Sequence, residues 1–242
     1  MRPQKIAPHD IKVVPLDRLE VAYVPHRWTF ATERRPEIDA YFAGLQRENP
    51  ALWNGRVLLL RDSAIVDGVF RGACFEVDYA SFISWQCWDF PDSDVRDCFA
   101  AAVVQSSDGA FLLGEMAPHT FNAGQIYFPC GTPDLNDVDV DRVDFDRSVA
   151  RELKEETGLD ISDFAPDPGW HAVLCGAIVA LMKILRARET ATELRERALD
   201  HLASEKRPEL ADIRIVRGPA DLDPAMPSFV MAFLRHAWSR GT

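Results

Sequence analysis

Apolar residues recur along this chain at two spacings, and the spacing changes from segment to segment. Between Arg35 and Arg47, Ile38, Tyr41, Phe42 and Leu45 fall three and four apart, the repeat of one helical face. Asn49-Pro50 ends that stretch, because a residue before proline is driven out of helical backbone. Arg56 to Leu60, Ala64 to Val66 and Ala73 to Tyr79 read as short strands, with Asp62-Ser63, Asp67-Gly68 and Arg71-Gly72 as turns. Pro91-Asp92-Ser93-Asp94 is a polar break. Beyond it, Phe99 to Gln105 and Ala110 to Gly114 predict a hairpin around Ser107-Asp108-Gly109, and Gln125 to Phe128 another strand. Helices are expected over Phe145 to Thr157, Thr190 to Ser204 and Met226 to Ser239, with a strand at Ile213 to Val216. Trp170 to Leu185 fits either pattern. Its second half is expected to be helical, because Ala180 to Arg188 is rich in helix formers. No repeat or low-complexity tract interrupts the pattern. The chain therefore divides into a small α+β module, residues 1–95, and an α/β domain, residues 96–242.

The helix expected over Phe145 to Thr157 carries the densest chemistry. Glu152, Glu155 and Glu156 sit at i, i+3 and i+4, so their carboxylates share one face. Two like charges about 4 Å apart repel by roughly 4 kcal/mol at an effective dielectric near 20. Such a cluster persists only when it is solvated or neutralised. Glutamate-rich faces are usually solvated surface, so the neighbours decide. Asp144 is placed to cap the helix, and Asp146 lies in its first turn. Val149, Ala150 and Leu153 form an adjacent apolar stripe, and Gly158 suits the C-terminal stop. One side is thus packed and the other acidic. Upstream, Gly124 to Gly131 reads as a strand running into a tight loop. Carboxylate oxygens suit a hard divalent cation such as Mg²⁺, and that ion suits a substrate bearing phosphates.

Arg151-Glu152-Leu153-Lys154-Glu155-Glu156-Thr157-Gly158-Leu159 resembles the second half of the Nudix box, the signature of the Nudix hydrolases. That signature runs Gly, five residues, Glu, seven residues, Arg-Glu, an aliphatic, any residue, Glu-Glu, any residue, Gly, an aliphatic. Phe128-Pro129-Cys130-Gly131 resembles the Phe-Pro-Gly-Gly that precedes it, with Cys130 in place of a glycine. Gly131 stands 20 positions before Arg151 where the signature has 14, an excess of six residues. Counted back from Arg151, the first glutamate falls on Val143. Asp139, Asp141 and Asp144 are near it but out of register, and the insertion is expected between Asp134 and Asp141.

The resemblance implies an α/β/α sandwich around a mixed sheet, covering the second domain only. It also implies hydrolysis of a diphosphate linked to another group. Glu152, Glu155 and Glu156 would be metal ligands, with Glu152 orienting or deprotonating the water and Glu155 beside it in the catalytic set. Arg151 would hold a glutamate through a bidentate bond. Gly131 would let backbone approach the phosphates. The implied cofactor is Mg²⁺, with Mn²⁺ able to substitute, and the partner is a small-molecule diphosphate. A further acid is expected from outside the motif: Glu189, Glu193, Glu205 and Glu209 are candidates, and Glu209, next to Pro208 and ahead of a strand, is preferred.

Composition narrows the surroundings. The 242 residues are 47% hydrophobic and 27% charged, as in a globular protein, and the net charge of −11 disfavours a nucleic-acid polymer. Five cysteines without a CxxC pair read as reduced thiols in a cytoplasmic protein. Met1 to Asp10 has no apolar stretch, so no signal peptide is expected. Ala172 to Met182 is too short to span a bilayer. A homodimer is compatible with all of this.

Two substrate cues precede the acidic helix. Leu112 to Gln125 loosely resembles the segment that coenzyme A diphosphatases of the same family carry there, without its basic residues: Met116 stands where an arginine would help. His119, Asn122 and Gln125 are the hydrogen-bonding candidates for phosphate or sugar. Asn49-Pro50-Ala51-Leu52-Trp53-Asn54-Gly55 resembles a motif of family members with N-terminal extensions that act on nucleotide sugars. Trp53 could stack on a base, though a tryptophan next to Asn-Gly more often anchors a turn, and Trp85 and Trp88 could line a pocket, though core or interface packing is their favoured role. The preferred reading is a Mg²⁺-dependent diphosphatase acting on a nucleoside diphosphate linked to another group, such as a sugar. The alternatives are a coenzyme A or acyl-CoA diphosphatase and a nucleotide-binding module that does not cleave.

Overall fold

The computed structural model describes residues 11–240, so the segment Met1 to Asp10, where no signal peptide was expected, lies outside the described residues. The chain opens with strands β1 (Lys12–Leu16) and β2 (Arg18–Tyr23), then helices α1 (Thr29–Glu33) and α2 (Arg35–Glu48). A long hairpin, β3 (Arg56–Val66) and β4 (Val69–Asp78), leads into α3 (Tyr79–Cys87). Next come β5 (Val95–Gln105), β6 (Phe111–Met116) and two minimal strands, β7 (Ile126–Tyr127) and β8 (Cys130–Gly131). A small hairpin, β9 (Val138–Asp139) and β10 (Arg142–Val143), precedes α4 (Phe145–Thr157). The chain continues through β11 (Phe164–Pro166), β12 (Trp170–Cys175), β13 (Ile178–Ala187), α5 (Ala191–Ser204), β14 (Leu210–Val216) and α6 (Ser228–Arg240).

Strand β5 is the axis. Every residue in it except Arg96 is buried. It runs parallel to β13 from Asp97 to Gln105, and antiparallel to β6 and β8 along its other edge. Side chains alternate across a strand, so its two faces meet different layers. Phe99 meets Phe229 of α6 edge-on, while Val104 shares a crevice with Thr157 of α4 and Ala198 of α5. The result is a mixed sheet between helices, an α/β/α arrangement. Among the described residues, no helix is long and apolar enough to cross a membrane.

The boundary expected at residues 95–96 falls within this sheet. β3 pairs with β5 at Leu60↔Arg96 and Arg61↔Val95, and β1 pairs with β12 from Lys12↔Leu174 to Leu16↔Trp170. The first part of the chain adds its own apolar clusters, one around Trp28, Phe75, Phe82 and Trp85, another around Ile38, Phe42 and Ile83. Trp85 is therefore a core residue.

Several elements differ from the sequence expectation, each for a physical reason. Ala180 to Arg188 is not helical. It belongs to the β12–β13 hairpin, which turns at Gly176 with φ 61°. Because β13 is flanked by β5 and β12 and covered on both faces, it reads as an unbroken apolar run, and pairing overrides its helix formers. Asp62-Ser63 is a bulge inside β3, not a turn. Asp67-Gly68, with φ of 48° and 73°, makes the hairpin turn. Arg71-Gly72 lies inside β4. Tyr79 starts a helix, because the Asp78 side chain accepts from Ser81 N and caps it.

Asp97, at the buried start of β5, has a carboxyl oxygen without a hydrogen-bond partner. Burial raises its pKa from 3.8 to about 7. Across that window the folded chain holds a proton that the unfolded chain releases, so this group's contribution to stability is lost as pH rises towards 7. Asp97→Asn should match the parent near pH 4 and exceed it by on the order of 2–4 kcal/mol at pH 8 in urea unfolding. An equal difference at both pH values would contradict this.

Candidate active site

Helix α4 forms where its local code says it should. Asp144 accepts from Arg147 N at 3.0 Å, and Gly158 ends the helix in left-handed backbone with φ 70°. Phe145, Val149 and Leu153 are buried, each stabilising the packing by roughly 1.5–3 kcal/mol. The same face turns Glu152 and Glu156 inward, leaving them 9% and 4% exposed. Glu155, expected to join them, points outward with 61% of its side chain exposed. At 100° per residue, positions 152 and 156 stay on the stripe of Val149 and Leu153, and 155 leaves it.

The inward glutamates meet the loop that follows β7. Phe128 anchors it, fully buried against Phe111 and Phe233. Pro129 O accepts from Ala102 N at 2.8 Å, and Gly131 pairs with Ala100. A Cβ on Gly131 would collide with the Glu152 carboxylate, so only glycine allows this approach. Glu156 accepts a hydrogen bond from the backbone N–H of Cys130.

Arg151 ties the acids together. Its Nη2 donates to Asp137 Oδ2 at 2.9 Å, and its Nη1 lies 2.7 Å from Glu152 Oε1 and 3.2 Å from Glu155 Oε2. Asp137 is fully buried in a 3₁₀ turn, where its Oδ2 also accepts from Asp134 N at 3.1 Å. This residue was missed in the sequence. Counting back from Arg151 pointed to Val143, which is a buried apolar strand residue, and to Asp139, Asp141 and Asp144, of which the first two are exposed and the third caps α4. The extra residues form the β9–β10 hairpin, Val138 to Val143, which starts within the expected stretch between Asp134 and Asp141 and runs two residues past it. Counted forward from Gly131, five residues intervene and the next is Asp137, an acid in register.

Burial sets the electrostatics. It lifts Glu152 to about 7, against the pull of Arg151 and with help from the Glu155 and Glu209 charges. It raises Glu156 well above the usual carboxylate range, and the Glu152 and Glu209 charges push the same way. For Arg151, burial works against the charge, but the Asp137 hydrogen bond and the surrounding carboxylates outweigh it and raise its pKa. Glu209 stands at the solvent edge of this cluster, raised by partial burial and the Glu155 charge. The other outside candidates are engaged elsewhere: Glu189 with Arg197, Glu193 in the Thr190 cap, and Glu205 beside His201.

The donors fit a hard divalent cation. Two buried carboxylates converge on one loop, and Glu156 Oε2 has no hydrogen-bond partner. A soft ion would need thiolate, and burial together with the Glu156 and Glu152 charges holds Cys130 protonated. Among the described residues, no three acidic, histidine or cysteine side chains stand close enough to close around one ion. Arg151 at Glu152 supplies the counter-charge in this arrangement.

The remaining candidates lie in the loop between β6 and β7. His119 O accepts from Asn49 Nδ2 at 3.3 Å. Asn122 Nδ2 donates to the Tyr127 hydroxyl at 3.3 Å, and Gln125 Nε2 reaches Asn122 Oδ1 at 3.5 Å, so both side chains brace their own loop. Trp53, expected to anchor a turn, lies with its ring against Gly55 and is 81% exposed.

No family model matches this sequence, and no curated protein does. Solved structures that resemble it include a Nudix hydrolase of M. smegmatis, RenU, at 19% identity over 60% of this chain and 86% of that one, with a TM-score of 0.38. A MutT protein from Methanosarcina mazei Go1 has 17% identity over 60% and 94%, with a TM-score of 0.39. An Ap4A hydrolase of C. elegans has 15% identity over 59% and 96%, with a TM-score of 0.38. Likeness at this level carries no argument about chemistry, which rests on the side chains above.

Removing the buried half of the Arg151 pair leaves the guanidinium Nη2 without its partner. Asp137→Ala should cost about 3 kcal/mol in urea unfolding, and Asp139→Ala, on the exposed hairpin, less than about 0.5 kcal/mol. Equal costs would refute the pairing.

Proposed function

We propose that this chain is a Nudix-type diphosphatase. It would use a divalent cation, Mg²⁺ or Mn²⁺, to hydrolyse a nucleoside diphosphate linked to another group, such as a sugar. One observation carries the reading: Glu152 and Glu156 are turned inward against a glycine loop, with an arginine braced by a buried acid beside them. A surface helix has no reason to bury two carboxylates and leave one oxygen without a partner.

Glu152 and Glu156 would hold the cation, with the Glu209 charge at the edge of the site. Bound there, it would offset the charge of two phosphoryl groups and lower the pKa of the attacking water. The chain supplies the rest. Arg151 fixes the orientation of Glu152, and Asp137 fixes Arg151. Glu152, held in place by Arg151, is the carboxylate suited to take a proton from the attacking water. Gly131, lacking a side chain, lets the Glu152 carboxylate lie against the loop. All five cysteines are free, which suits the reducing cytoplasm.

A second reading rests on the absence of three closely placed ligands among the described residues: a module that binds nucleotide without cleaving it. One screen separates the two. Nucleotide sugars, ADP-ribose, dinucleoside polyphosphates and coenzyme A are offered with Mg²⁺ and Mn²⁺, and phosphate is detected after a phosphatase. The diphosphatase reading expects metal-dependent release of nucleoside monophosphate, with kcat falling about 100-fold or more in Glu152→Gln and Glu156→Gln. A raised Tm with ligand and no product under any cation would establish the second reading instead.

A further inference from the structure

The loop between α2 and β3 is held on both sides of Trp53. Asn49 N donates to Leu45 O at 2.8 Å, Leu52 N to Asn49 O at 3.0 Å, and Gln46 Nε2 to Leu52 O at 3.0 Å. On the other side, Asn54 Oδ1 accepts from Ala80 N at 2.8 Å and Gly55 O from Tyr79 N at 2.9 Å. Between these clamps stands Trp53, whose ring lies on the Cα of buried Gly55 so closely that a Cβ there would meet its benzo carbons. One side of the indole is covered by backbone, and 81% of the residue is open to solvent. A large apolar ring fixed in place and left wet is an unfavourable arrangement for a residue with no ligand.

This loop is also tied to the segments around the acidic cluster. Asn49 Nδ2 reaches His119 O at 3.3 Å, and His119 is near enough to Glu209 for its charge to be felt there. Leu58 N, in β3 beyond the loop, donates at 2.7 Å to Pro133 O, two residues past Gly131. The His119 loop carries an exposed ring of its own, Phe121, 46% exposed. We propose that Trp53 is the platform on which the heteroaromatic base of the nucleotide stacks while its diphosphate faces the glutamates. The assignment rests on the diphosphatase reading for the position of the diphosphate, and on Trp53 and Gly55 alone for the base. Stacking on one open ring is tolerant of base identity, so purine and pyrimidine nucleotides should both use it.

Binding tests it independently of turnover. ADP, UDP and inorganic pyrophosphate are titrated with Mg²⁺ into the full chain and into Trp53→Ala, Trp53→Phe and Gly55→Ala, following tryptophan fluorescence. ADP and UDP should quench the signal that Trp53→Ala lacks, and pyrophosphate should not. Trp53→Ala should weaken ADP and UDP about 10-fold or more, with pyrophosphate unchanged. Trp53→Phe should recover most of the loss, and Gly55→Ala, which pushes the ring aside, should reproduce part of it. On an active substrate the loss should appear in KM with kcat within about threefold. Quenching and weakened binding without hydrolysis by any chain would sustain the platform and defeat the diphosphatase reading. Hydrolysis with unchanged KM and no quenching in Trp53→Ala would overturn the platform and leave the diphosphatase reading intact.

Discussion

The ion pair between Arg151 and buried Asp137 constrains everything around it. Asp137 is fixed by its 3₁₀ turn, so the guanidinium has one place to sit, and from there it reaches Glu152 Oε1 at 2.7 Å. Glu152 in turn lies against Gly131, which is fixed to β5 by the sheet. Helix, loop and central strand are thereby set in register through one side chain. A buried pair of this kind adds little net stability once desolvation is counted, and its worth is positional.

That register holds two acids in mutual repulsion, which a proton or a bound cation relieves. Burial and mutual repulsion lift both inward glutamates, and Arg151 reaches Glu152 but not the free oxygen of Glu156. Asp97 is a different case: a buried acid raised by desolvation, with burial its only resolved cause. The two situations look alike in sequence and differ in geometry, because only the glutamates share a loop, Glu152 lying against Gly131 and Glu156 accepting from Cys130 N.

What was legible in the sequence was what local chemistry encodes. The bounds of α4, from Asp144 as cap to Gly158 as stop, follow from side-chain capping and the left-handed preference of glycine. The acidic face and its neighbouring stripe follow from helical periodicity, although the same periodicity sends Glu155 outward. Three features were hidden because long-range contacts decide them. β13 lost its alternation through burial on both faces, and β1 exists by pairing with β12 across more than half the chain. Asp137 was hidden by an insertion that broke the count from one side and left it intact from the other. The exposure of Trp53 depends on clamps at Asn49 and Asn54 that no hydrophobic pattern reveals.

The account depends on α4 offering two acids to one shared cation. The most direct measurement is anomalous diffraction from a crystal soaked in Mn²⁺. The expected result is a peak bounded by the Glu152 and Glu156 carboxylates beside the Gly131 loop, with the free Glu156 oxygen among its ligands. A well-occupied crystal with Mn²⁺ only at exposed surface acids, and Glu156 still unpartnered, would contradict it.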